Sequence, residues 1–108
     1  MGAMAAPLPA ANVKAWEAWV NELKGPRKDE FDDMNARYGL TEHRAYLQIS
    51  PDGENLVLVL QDGPGADSFM ADAMSSDNEF DQWFMQKVGQ LHDMDPSGPP
   101  PPSAERRL

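Results

Sequence analysis

Two stretches flanking a short turn constrain the fold more than anything else in the chain. Residues 43–50 alternate, with Ala45, Leu47 and Ile49 on one side and Arg44, Tyr46 and Gln48 on the other. Residues 55–61, N-L-V-L-V-L-Q, are apolar at nearly every position. Between them, Pro51-Asp52-Gly53 is a turn signal, because proline presets φ and glycine accepts a positive one. The combination predicts an antiparallel β-hairpin. With the loop at 51–53, Gln48 stands opposite Leu56, Tyr46 opposite Leu58 and Arg44 opposite Leu60. On the other face Leu47 meets Val57 and Ala45 meets Val59. Both faces are therefore largely apolar. The chain's own helices can cover one of them, and the other calls for a second cover, most economically another subunit.

The helices are legible from spacing. Val13, Trp16, Val20 and Leu23, widened by Trp19, form one stripe over residues 10–23, with Asn12 as a possible cap. Gly25-Pro26 should break or kink this helix. A second helix then carries Phe31, Met34 and Tyr38 inward, with acidic residues near its positive end and Gly39 as its C-terminal cap. After the hairpin, Pro64 is expected to open a short helix with Phe69, Met70 and Met74 inward. Ser76 and Glu79 read as a capping box for a last helix bearing Phe80, Trp83, Phe84, Val88 and Leu91. Residues 1–3 read as a cloning remnant ahead of a start at Met4, residues 4–95 as one α+β domain, and residues 96–108 as a proline-rich arm or disordered tail.

Composition narrows the function classes. The 108 residues carry 18 acidic against 9 basic side chains, a formal charge of −9. That balance argues against nucleic acid and against anionic membrane surfaces, which recruit Lys and Arg. No run approaches the about 18 apolar residues of a membrane span. The absence of cysteine removes disulfides and thiol chemistry. Nothing resembles a secretory leader, so a cytoplasmic location is expected.

Several residue strings resemble a family of small bacterial proteins of unknown function in the dimeric α/β-barrel superfamily. They are Gly25-Pro26-Arg27, Tyr46-Leu47-Gln48 before the Pro-Asp-Gly turn, Phe80-Asp81-Gln82-Trp83-Phe84, and His92-Asp93-Met94-Asp95. The resemblance implies a ferredoxin-like βαββαβ unit whose antiparallel sheet closes against that of a second subunit. It also implies strands before Pro9 and in the tail, although the Ala- and Pro-rich stretch before Pro9 should form only a short or frayed one. The superfamily includes cofactor-independent monooxygenases, haem-degrading enzymes and isomerases, alongside many members without known activity. It raises the expectation of a small apolar ligand without selecting a reaction.

Few residues offer chemistry. His92, beside Asp93 and Asp95, is the one candidate catalytic group, a base or a metal ligand oriented by a carboxylate, though the negative end of a helix would favour a histidine there without any function. His43, at a strand start, reads as a plain edge residue. Arg44, Tyr46 and Gln48 give an apolar wall three polar handles, which suits a ligand pocket and suits a subunit interface better. Trp83 is a further candidate ligand contact, although the spacing of Trp16, Trp83 and Phe84 favours core packing. Asp77, Glu79 and Asp81 alternate like a calcium loop but lack its glycine. No serine triad, phosphate loop or metal-ligand set is apparent, so neither metal nor cofactor is expected. The sequence thus supports a homodimeric module that binds a small hydrophobic molecule or is purely structural. The alternative is a cofactor-independent monooxygenase or isomerase in which Tyr46, Gln48, Trp83 and His92 line the site.

Overall fold

The hairpin forms in the register expected from its turn. In a computed structural model, which describes residues 2–94 and 104–108, strand β2 (Glu42–Gln48) pairs antiparallel with β3 (Asn55–Asp62). Gln48 lies opposite Leu56, Tyr46 opposite Leu58 and Arg44 opposite Leu60. Gly53 takes φ +83° and its N–H donates to the Ser50 carbonyl at 3.0 Å, closing the turn. Strand β1 (Gly2–Leu8) joins the free side of β3, again antiparallel, so the sheet order is β1-β3-β2.

This first strand corrects the expectation of a short or frayed one. It runs seven residues, with Gly2 and Ala3 pairing with Gln61 and Leu60. The alternation Met4, Ala6, Leu8 supplies an inward face, and Pro7 is tolerated because an edge strand can spare a backbone donor. Ala104 forms a single antiparallel bridge to Ala3. The proline run expected as an extended arm lies outside the described residues.

Among the described residues, four helices cover one face of the sheet. A single 3-10 turn at Ala10–Asn12 leads into α1 (Val13–Lys24), and α2 (Lys28–Arg37) follows the break at Gly25 and Pro26. The stripes fall as spacing dictates, with Trp16, Trp19, Leu23 and Met34 buried. After β3 come α3 (Phe69–Met74) and α4 (Glu79–Leu91). The result is an α+β architecture built on a three-stranded antiparallel sheet. Among the described residues no helix is long and apolar enough to cross a membrane.

Local details depart from the sequence reading in four places. Pro64 sits in a turn, and α3 starts only at Phe69. The chain crosses itself there, and a Cβ on Gly65 would stand 1.6 Å from the Tyr38 carbonyl oxygen, so only glycine fits the crossing. Phe69 and Ala73, four apart, form the buried stripe of α3, which leaves Met74 48% exposed rather than inward. The cap of α4 is Asn78, whose side chain accepts from the N–H groups of Phe80 and Asp81, while the Ser76 hydroxyl is engaged by Asp81. Asn12 makes no cap bond to α1. It donates instead to the Leu91 carbonyl at 2.8 Å, so it ties the start of α1 to the last turn of α4.

Helices α2 and α4 end in the same way. In α2, Gly39 (φ +70°) lets its own N–H reach the Ala36 carbonyl and that of Leu40 reach Asn35. In α4, Asp93 takes the left-handed position with φ +52°, its N–H reaches Gln90 and that of Met94 reaches Gly89. Both are Schellman closures, and the second forms although aspartate replaces the favoured glycine. Aspartate pays a left-handed penalty there and sets a negative charge at the negative helix end. Asp93→Gly should therefore raise folding stability by about 1 kcal/mol, measurable as a higher urea midpoint; an unchanged or lower midpoint would contradict this.

Candidate functional site

The alternation that builds the sheet also builds a cavity. Met4 and Ala6 of β1, Val57, Val59 and Gln61 of β3, and His43 and Ala45 of β2 point toward the helices, which answer with Trp16, Trp19, Val20, Phe31, Phe69, Phe84 and Val88. Between them lies a space of about 290 Å³. Lys24 and Ala45 are the exposed members of its lining, so it opens to solvent beside them. Four methionines, Met4, Met70, Met85 and Met94, contribute to the wall, and their unbranched thioethers adapt readily to an apolar guest.

His43 is the largest correction to the sequence reading. It is no plain edge residue but stands over the cavity, in an aromatic cage with Phe31, Phe69 and Phe84 at ring-centroid distances of 5.2, 5.4 and 6.0 Å. Its Nδ1 lies 2.9 Å from Asn35 Oδ1, and its Nε2 lies 3.2 Å from the Gln61 amide nitrogen. With these partners Nδ1 donates and Nε2 accepts, which is the neutral tautomer. Burial pushes its pKa down from 6.5 to about 4.

His92 also lines the cavity, from the C-cap of α4. Its Nδ1–H donates to the Pro7 carbonyl at 2.8 Å, which fixes the ring. Burial lowers its pKa below the ordinary value and the Pro7 bond only partly opposes this, so the imidazole is neutral at pH 7. Neutral Nε2 keeps its lone pair, and among the described residues nothing donates to it. A fixed, uncharged imidazole with a free acceptor can take a hydrogen bond or a proton from a bound molecule.

The other residues singled out from sequence stand elsewhere. Arg44, Tyr46 and Gln48 share the opposite sheet face with Leu56, Leu58 and Leu60, away from the cavity. Arg44 pairs with Glu42 at 3.0 Å, and Tyr46 is 47% exposed. Trp83 packs under the Arg27 guanidinium, 4.0 Å from the ring centroid, and is not part of the lining. Trp16 and Phe84 do line the cavity.

A second polar cluster holds the helices in place. Asp81, with no exposed surface, accepts two bonds from the Arg37 fork at 2.9 and 2.7 Å, one from the Tyr38 hydroxyl at 2.7 Å and one from Ser76 at 2.8 Å. The guanidinium first, then the two hydroxyls, hold its pKa down at about 2 against the cost of burial. Every oxygen of this carboxylate is engaged, so the cluster is a fastening between α2 and α4. Among the described residues no group of three or more His, Asp or Glu side chains is placed to hold a metal ion.

Comparison with known proteins finds no matching family, no matching curated protein and no matching solved structure.

Proposed function

We propose that this protein is a dimeric ligand-binding module that takes a small, uncharged hydrophobic molecule into the cavity between sheet and helices. The observation that carries this reading is the cavity itself. A space of about 290 Å³ walled by aromatic rings and thioethers lies at the lower end of the range for small-molecule pockets. A well-packed core of this size would hold few voids larger than a water. A saturating aromatic guest is expected to raise Tm by roughly 11–22 °C, since a ligand at 100 times its Kd stabilises by about 2.7 kcal/mol and each kcal/mol is worth about 4–8 °C here. Val59→Phe, which fills the space from β3, should fold and lose that response. A melting curve indifferent to such guests would end this reading.

The outer sheet face supports the dimer. Leu56, Leu58 and Leu60 form its central row, flanked by Ala3, Ala5 and Pro7 on one side and Tyr46 on the other. Leu58 remains 37% exposed. The order β1-β3-β2 and the bridge from Ala104 to Ala3 also agree with a ferredoxin-like unit whose tail supplies a further strand, as in a dimeric α/β barrel. Light scattering at micromolar concentration should give twice the chain mass of 12.0 kDa, and Leu58→Asp should give a single chain. A wild-type protein of single-chain mass would contradict the dimer.

The catalytic alternative, a cofactor-independent monooxygenase or isomerase, draws on the free acceptor of His92. It requires turnover of a bound aromatic that is lost in His92→Phe while binding persists.

A further inference from the structure

Among the described residues, five side chains with polar atoms belong to the wall of the cavity at its buried side: Trp16, Trp19, His43, Gln61 and His92. His43 uses both ring nitrogens, on Asn35 and Gln61, and Gln61 gives an amide N–H to that bond while its carbonyl oxygen remains an acceptor. The Trp19 indole N–H has no hydrogen-bond partner among the described residues, but it is sealed from solvent, with the Phe84 ring centroid 5.1 Å from its own. His92 is different. It is only 9% exposed, its orientation is fixed by Pro7, and its Nε2 keeps an accessible lone pair with no donor among the described residues. An acceptor held at the cavity wall in this way is open to a hydrogen bond from a guest. It would be satisfied by a guest that donates.

We infer that the molecule bound in this cavity is an uncharged one- or two-ring aromatic alcohol whose hydroxyl donates to His92 Nε2. This rests on the ligand-binding reading and specifies its chemistry. The size follows from the space, since about 150 Å³ accommodates benzene in an apolar pocket and this cavity has about 290 Å³. Aromaticity follows from the rings of Trp16, Phe31, Phe69 and Phe84 on its walls. The guest is neutral because the buried wall offers no cation. Lys24 stands at the mouth, and a carboxylate carried deep inside would go unpaired. It is a donor because a carbonyl or ether oxygen would set its lone pair against that of Nε2.

The test compares 2-naphthol, 2-methoxynaphthalene and naphthalene by calorimetric titration of the full chain. The methyl ether keeps the oxygen but removes the donor, and naphthalene, smaller than either, separates donation from size. 2-Naphthol should bind about tenfold tighter than both others, the typical yield of one such bond. In His92→Phe, which keeps a ring and removes the acceptor, the three should bind within about twofold of one another. Equal binding of 2-naphthol and its methyl ether to the wild-type chain overturns the inference, as does a preference that survives in His92→Phe. Should that variant not fold, the wild-type chain still decides. The ¹⁵N resonance of His92 Nε2 should move with 2-naphthol and stay in place with 2-methoxynaphthalene, and a resonance that ignores both overturns the assignment. Binding of all three without discrimination defeats only the hydroxyl, whereas binding of none defeats the ligand-binding reading as well.

Discussion

Asp81→Ala is expected to cost about 3 kcal/mol of folding stability, which lowers Tm by roughly 15 °C in a chain of this length. The carboxylate is fully buried and collects two bonds from Arg37 and one each from Tyr38 and Ser76. Bonds to a charged group contribute more than neutral ones, and removing their shared acceptor strands several donors at once. The loss should stay near the lower end for a broken buried pair. Arg37 is partly exposed and also holds Asp33 at 2.8 Å, so its charge can return to water. Asp81→Asn, which keeps the volume and part of the bonding, should cost about half as much. Urea unfolding followed by circular dichroism measures both. A loss below about 1 kcal/mol for the alanine variant would mean that the cluster is an incidental surface contact.

The same residues show what could and could not be read from the chain. The hairpin register was legible because one turn and a period of two determine every cross-strand pair. That arithmetic, continued two residues further, sets His43 opposite Gln61, as observed. It also places both on the face of Leu47 and Val57, beneath the helices. Strand position made His43 resemble an edge residue, whereas parity made it a cavity residue. Parity equally removes Tyr46, Gln48 and Arg44 from the cavity, because they project from the other face. His92 was legible as a helix-end histidine, but its fixed orientation depends on Pro7 in a strand that its own composition made look weak. The Asp81 cluster was not legible at all. It joins residues 44 and 43 positions apart, and no local pattern distinguishes an aspartate that will meet an arginine fork from one that will face water.

Acidification should destabilise the fold well before its carboxylates titrate, and His43 should be the main cause. Unfolded, this histidine takes a proton near 6.5; folded, burial holds it neutral down to about 4. Between those values the unfolded chain binds the extra proton, so stability falls as pH falls. The loss reaches about 3 kcal/mol by pH 4 and adds no slope above pH 7. His92, also shifted down by burial, adds to the slope in the same direction. Asp81 acts in a lower window. Its folded pKa of about 2 against 3.8 means that its stabilisation is intact above pH 4 and lost as pH falls through 2. The two are separated by His43→Phe, which should be less stable than wild type at pH 7 because Asn35 and Gln61 lose their partner. Its deficit should shrink toward pH 4, where the wild-type ring is itself forced to charge or unfold. Urea midpoints at pH 7, 6, 5 and 4 give the two curves, and parallel curves would show that His43 is not buried neutral. A histidine held neutral by three phenyl rings also keeps charge out of the cavity wall, so the interior that resists protonation is the same interior that suits an uncharged guest.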